Sequence, residues 1–299
     1  MALITRTVIT TGGGDYTSLN AWEATEQTDL VTAGNSHIVY CSGSTDDSNL
    51  LTLNGWITGA SNTITIQGDQ TTGVFDASKY TLIPTDHWQG VPRIDNNYVT
   101  LKRVQIDLSS WASGLEIHGS NTIVESLIIK DGTNANTPCV YILGQVVIKS
   151  CLIYGGAGHA VYLQTFSACT VVNCTISNSD YGVYRYGGTE NHIITNCAVF
   201  GCSSDFEGTM IVSYCASDDG DGSNAQTLST TRSDDFTGYA ISGTSSTLYD
   251  TGTATGRPST DITGYTWVTN DIGAFAWQVT AKLLAIIMKE SNQFNGGMI

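Results

Sequence analysis

Val171–Ser177 reads VVNCTIS. Three readings compete for it. Asn173-Cys174-Thr175 is a glycosylation sequon. A cysteine between polar residues is a candidate nucleophile or metal ligand. Or the stretch is one rung of something that repeats, and repeats have to be sought first. Six segments align without gaps: VTLKRVQID from Val99, TIVESLIIK from Thr122, VVIKSCLIY from Val146, CTVVNCTIS from Cys169, HIITNCAVF from His192 and MIVSYCASD from Met210. Their sixth residues are Val104, Leu127, Cys151, Cys174, Cys197 and Cys215, in steps of 23, 24, 23, 23 and 18. Two residues on stand Ile106, Ile129, Ile153, Ile176 and Val199. Three residues before stand Leu101, Val124, Ile148, Val171, Ile194 and Val212.

A second series runs between these segments: GLEIHG, CVYILG, AVYLQ, GVYRYGG and DFEG. Its apolar positions are Leu115, Val140, Val161, Val183 and Phe206. Both series alternate with period 2 and are separated by Gly, Asn, Ser and Asp, so each coil holds two or three short strands and no helix. Short strands recurring at a fixed interval build a solenoid whose coils pair in parallel about 4.8 Å apart. The expected fold is all-β: a single-domain, single-stranded parallel β-helix, right-handed because parallel crossovers are. HIVYCSG and NTITIQG read as its first coils, and residues 69–98 as an extended loop or hairpin.

Both ends of a solenoid must be covered. SLNAWEATEQTDL fits a short amphipathic helix with Thr17 or Ser18 at its N-cap and Trp22 toward the core. Periodicity fades after Ser217, and DDFTGYAIS with TGYTWVTNDIGAFAW is expected to close the base. The organisation is thus an N-terminal helical cap (1–35), the β-helix (36–217), an irregular C-terminal cap (218–278) and an apolar tail (279–299).

The 299 residues carry Lys+Arg 12 against Asp+Glu 27, a net charge of −15. Nucleic acid and anionic membranes are poor partners for such a field, and it repels polyuronates unless calcium or a local basic patch intervenes. No apolar run reaches the roughly 18 residues of a membrane span. MALITRTVITTGGGDY has no apolar core of a signal peptide. Eight cysteines in that setting read as free thiols rather than a disulfide framework.

The opening GGDYTSLNAWEA and the closing DDF…YDTG…DITG…NDIGAF resemble β-helix proteins encoded by tailed phages. The resemblance implies a virion component assembled in the host cytoplasm: a head fibre, spike, decoration protein or tailspike-like appendage. Such proteins are often trimers, and their partners are other virion proteins and host polysaccharide.

The cysteine column is expected to stack in the core, since free cysteine packs as a small hydrophobe and a linear stack offers no converging ligand set. Asn173 and Asn196 precede two of the cysteines at corners where Asn tolerates left-handed backbone. Thr175 is expected outside. The outward neighbours of the second series are Glu116, Tyr141, Tyr162, Tyr184 and Glu207, a candidate glycan strip. The competing reading is an aromatic ladder that only stabilises the sheet, or a subunit contact. A further outward column, with Ile123, Val147 and Ile193 beside Thr100, Thr170 and Ile211, is a candidate oligomer interface, and so is its neighbour with Ile128 and Leu152. Cover by the loop at 69–98 or by the C-terminal segments is the alternative. In the tail, Leu283, Leu284, Ile286 and Ile287 are candidates for docking on another subunit or virion protein.

For hydrolysis of a glycosidic bond the best carboxylates are Asp180, Asp205 and Glu207, and Arg185 beside Asp180 hints weakly at a lyase. Asp219 and Asp221 in SDDGDGSN resemble a calcium loop lacking its distal Glu. The histidines fall at unrelated positions. No cofactor is expected, and a polysaccharide-degrading tailspike is the enzymatic alternative to a structural surface protein.

Overall fold

A computed structural model describes residues 2–49, 51–84, 91–108, 114–130, 132, 137–164 and 166–277. The expected solenoid is present. Three sheets of nine, eight and seven strands run along it, and each central coil contributes one strand to each. The coil of Val146–Lys149, Leu152–Tyr154 and His159–Leu163 is typical. Every pairing within the three sheets is parallel, and Val124, Ile148, Val171 and Ile194 stand in one register column. The backbone of each coil is thereby satisfied by the coils above and below it.

The corner between the nine- and eight-stranded sheets has one recurring device. Arg103, Ser126, Ser150, Asn173, Asn196 and Tyr214 all have φ between 50 and 56°. One left-handed residue turns the chain and breaks the period of 2, which is why the inward spacing there is three. The next residue points into the core and forms the Val104–Leu127–Cys151–Cys174–Cys197–Cys215 column, all fully buried. The thiols are more than small hydrophobes. Those of Cys151, Cys174, Cys197 and Cys215 donate to the carbonyls of Lys149, Val172, Thr195 and Ser213, two residues back, at 3.3–3.4 Å. All eight cysteines are free thiols. Burial pushes the Cys174 thiol well above its ordinary pKa and that of Cys139 to about 12, so neither is a nucleophile. Opposite charges meet on adjacent rungs outside: Lys149–Glu125 at 3.3 Å and Lys130–Asp107 at 3.0 Å.

The first rung lies earlier than the cap boundary at residue 35 suggests. Ala2–Ile9 pairs with Asn35–Ser42 and begins the nine-stranded sheet, with the capping helix Leu19–Glu26 inserted between them. Alternation in ALITRTVI is obscured because this edge strand has core on one face only near Val8. Ser18 is the N-cap, accepting from Ala21 N–H. Trp22 is buried and stacks on Trp56, 5.4 Å between centroids. Asp47 ties helix to solenoid by accepting from Leu19 N–H and the Tyr80 hydroxyl at 2.8 and 2.7 Å.

Residues 69–98 are also corrected. They supply the strands Thr81–Leu82 and Arg93–Ile94, which pair in register with Gln105–Ile106 and Glu116–Ile117. Two-residue strands are too short to show a period.

The largest departure concerns the C-terminal region. It does not simply close the base but lies as a strap along the outer face of the eight-stranded sheet. Ile262, Ala274 and Phe275 bury Ile128 and Leu152. Leu248 and Ile272 pack with Ala198, Ala216 and Phe200. Ile128 and Leu152 are therefore intramolecular core, not an oligomer interface. Thr175, expected outside, is buried, and its hydroxyl accepts from Ala274 N–H at 2.9 Å. The corner asparagines hold the strap: Asn173 donates to Asp271 O and to Gly273 O, and Asn196 donates to Thr253 O and accepts from Thr253 N–H. Beyond Ser217, Gln226–Thr227 adds one more rung to the sheet. The tail candidates Leu283, Leu284, Ile286 and Ile287 lie outside the described residues.

Candidate functional site

Among the described residues no segment covers the outer face of the seven-stranded sheet in this way. Register places Glu116, Tyr141, Tyr162, Tyr184 and Glu207 opposite one another on five successive strands. The tyrosine centroids are 5.3 Å apart from Tyr141 to Tyr162 and 5.1 Å from Tyr162 to Tyr184, about one strand spacing. The rings touch, so the column is an aromatic ladder whatever else it does.

Other rings widen it. Tyr186 lies nearly parallel to Tyr162 at 6.2 Å. His159 and Tyr181 stack at 4.9 Å, and His159 meets the edge of Tyr184 at 4.6 Å. HAVYL and YGVYR each place a ring three residues before the column tyrosine, and His159 and Tyr181 are register partners. Strict alternation would turn both inward; the alternation breaks instead at Ala160 and Gly182, each buried beside a buried valine, and both rings are half-exposed. A Cβ on Gly182 would sit 2.5 Å from Asp205 O, so only glycine fits. Beside the platform a groove of about 250 Å³ is lined by Leu143, Gln164, Phe166, Tyr186, Gly187 and Gly188. Phe166 is 83 % and Tyr186 57 % exposed, unusual for such rings on a protein with a full core. The Tyr141 hydroxyl donates to Gln164 Oε1.

Sequence reasoning missed Phe166, Tyr181, Tyr186 and His159. Tyr186 was legible, two residues past Tyr184 on the same side. Phe166 sits between strands, where no period speaks.

Burial raises Tyr162 to about 12, aided by the neighbouring tyrosines, and raises Tyr141, with Glu116 adding to it. Burial lowers His159, against the pull of Asp180. Above the tyrosines the face is charged but paired: Arg93–Asp95 at 2.7 Å, and His118 within 3.5 Å of Glu116 and 3.8 Å of Asp95.

The acids singled out for hydrolysis stand differently. Asp180 is exposed. Glu207 is exposed and accepts from the Ser204 hydroxyl. Asp205 is buried at the corner toward the acidic turn, where Oδ2 accepts from Asp218 N–H at 2.8 Å and Oδ1 has no hydrogen-bond partner. Burial raises its pKa to about 6, with Asp218, Asp219 and Asp221 adding to the rise against the Asp218 N–H bond. Arg185, the hint of a lyase, is corrected: it is buried in an inward position beneath Leu163 and donates to Gly187 O and Thr209 O. The turn with Asp219 and Asp221 is organised by the Ser217 hydroxyl, which accepts from Gly220 and Asp221 N–H. Among the described residues no three His, Cys, Asp or Glu side chains converge as a metal site.

The nine-stranded sheet presents Thr100, Ile123, Val147, Thr170, Ile193 and Ile211 outward in one column. Ile193 and Ile211 are 41 and 47 % exposed. A groove of about 460 Å³ separates the lower part of this face from Thr253–Gly256. No helix of the described residues is long and apolar enough to cross a membrane.

A family model described as a right-handed β-helix region matches residues 54–225. No curated protein and no solved structure matches the chain.

Proposed function

The chain belongs to the right-handed β-helix family, and from that premise we propose that it is a non-enzymatic surface protein of a phage virion that holds carbohydrate on its tyrosine face. The fold suits surface proteins and proteins that bind or degrade polysaccharides. The observation that carries the binding half is the row of Tyr141, Tyr162 and Tyr184, over which no described segment lies, widened by Tyr186 and flanked by Phe166. Aromatic faces pack on the C–H faces of pyranose rings while phenol hydroxyls meet sugar hydroxyls. A ladder serving stability alone has no use for an 83 % exposed Phe166 beside it.

Pull-down on immobilised surface polysaccharides tests this. The protein is expected to be retained and to release no oligosaccharide, and Tyr162→Ala is expected to abolish retention. Retention unchanged by Tyr162→Ala excludes the tyrosine face.

The virion half rests on the likeness of the opening and closing motifs and on the half-exposed column of Ile123, Val147 and Ile193, which suits assembly into a homo-oligomer, a trimer in this reading. The expected gene neighbours encode portal, capsid or tail proteins; neighbours devoted to export and polysaccharide use contradict it. Sedimentation is expected to show an oligomer that dissociates when residues 279–299 are deleted.

One observation favours the enzymatic alternative, a polysaccharide-degrading tailspike. A carboxyl that titrates at about 6, as Asp205 does, is suited to general acid catalysis near neutrality, with Glu207 two residues on. Release of oligosaccharides that disappears in Asp205→Asn or Glu207→Gln establishes that reading instead.

A further inference from the structure

We propose that the tyrosine face selects a neutral, linear polysaccharide lying along the solenoid axis and rejects uronate polymers of the same length. This rests on the carbohydrate-binding reading above and specifies its ligand.

Direction follows from the row. Tyr141, Tyr162 and Tyr184 come from three successive coils, so a chain that meets all three crosses the strands rather than following one. Each coil advances one ring by 5.1–5.3 Å. A ligand running along a strand would leave the row after one tyrosine. Tyr186 and Phe166 rise on one side of this path and line the groove of about 250 Å³ with Gln164. Gln164 Oε1 is engaged by Tyr141, which leaves its amide nitrogen to donate to a ligand hydroxyl.

Charge selection follows from what borders the row. Both ends are carboxylates, Glu116 above and Glu207 below, and Asp180 is exposed on an adjoining turn. Among the described residues the basic groups nearest the row are occupied. Arg93 faces Asp95, His118 faces Glu116 and Asp95, and Arg185 is buried against carbonyls. Tyr162 and His159 stay uncharged at neutral pH, since burial holds Tyr162 near 12 and depresses His159. The path thus offers neutral hydroxyl donors and apolar ring faces between carboxylates, on a chain of net charge −15. Among the described residues near the row the cations are already paired, so a polymer bringing one carboxylate per sugar meets net repulsion. A neutral chain meets none.

Calorimetric titration at fixed ionic strength tests this. Cello-, xylo-, manno-, malto- and laminari-hexaose would be compared with hexamers of galacturonate, mannuronate and guluronate. At least one neutral hexaose is expected to bind, with affinity rising with length up to about four sugars, and Tyr162→Ala is expected to remove it. Each uronate is expected to bind at least tenfold more weakly than that neutral ligand. In Glu116→Gln/Glu207→Gln the ratio of neutral to uronate affinity is expected to shrink severalfold. A uronate that binds as tightly as the best neutral ligand, and is lost in Tyr162→Ala, overturns the selectivity but leaves the carbohydrate site standing. A deficit unchanged in the double variant overturns its electrostatic origin. Binding of neither class, or binding indifferent to Tyr162→Ala, overturns the carbohydrate reading itself.

Discussion

Two outer faces of one solenoid have opposite fates. The eight-stranded sheet presents Ile128, Leu152, Thr175, Ala198 and Ala216, and the chain returns to bury them beneath Ile262, Ile272, Ala274 and Phe275. The seven-stranded sheet presents Tyr141, Tyr162 and Tyr184, half-buried against one another, and no described segment lies over them. The central positions of both columns are uncharged, yet they differ in kind. Isoleucine and leucine have no favourable contact with water, so their cost of exposure scales with area. Tyrosine keeps a hydroxyl at its tip and tolerates a wet surface. Of these two columns the chain covers the apolar one, and the amphipathic aromatic one tolerates water without cover; the apolar column of the nine-stranded sheet, with Ile193 and Ile211 41 and 47 % exposed, follows neither course.

Substitutions that break one face and spare the other sharpen this comparison. The largest effect is expected from Leu152→Asp. It places a charge beneath the strap with no partner and should cost on the order of 4 kcal/mol, with protease cleavage appearing across residues 236–277. A folded, protease-resistant variant would show that the strap is incidental. Next is Asn173, which serves both backbone and strap. Asn173→Ala puts a residue with no left-handed preference at φ 50° and removes the donors to Asp271 O and Gly273 O. Chemical denaturation should report a loss of about 2–3 kcal/mol. Asn173→Gly keeps the turn but loses the bonds and should recover about 1 kcal/mol of that; identical losses would assign the whole effect to the bonds.

Asp205 stands at the seam between the two faces. Its folded pKa of about 6 is raised above the ordinary carboxyl value of 3.8. Between these values the folded state holds a proton that the unfolded chain has released. Its contribution to stability therefore falls as pH rises from about 4 to about 6 and is level above that. Asp205→Asn is expected to flatten this slope and to stabilise the protein at pH 7 by about 2 kcal/mol. Melting temperatures across pH 4–8 check it, and a parallel fall in both proteins would contradict the assignment. The smallest effect on folding belongs to the bare face. Tyr184→Ala is expected to cost only about 1 kcal/mol, the value of its ring contacts, while weakening glycan retention tenfold or more.

Much of this was legible in the repeat. Alignment on Cys174 gave the columns, and the tyrosine row followed by counting one residue past Val140, Val161 and Val183. Asn173 and Asn196 announced the corner because asparagine tolerates left-handed backbone. Arg103, Ser126, Ser150 and Tyr214 adopt the same φ without any such preference, and only register reveals them. Thr81–Leu82 and Arg93–Ile94 were too short to show a period. The strap was hidden for a different reason. Its residues do not repeat, and their partners lie about 100 positions earlier, as in Asn173 with Asp271 and Gly273 or Thr175 with Ala274. Ile128 and Leu152 declared that something must cover them, but period 2 does not say what.

The most direct test of the uncovered face is ring-resolved NMR of tyrosine- and phenylalanine-labelled protein, titrated with the neutral oligosaccharide that binds best. The account predicts saturable shifts at Tyr141, Tyr162, Tyr184, Tyr186 and Phe166, and none at Phe236 or Phe275 beneath or within the strap. Saturable shifts confined to the strap side, or none at the tyrosine row, would contradict it.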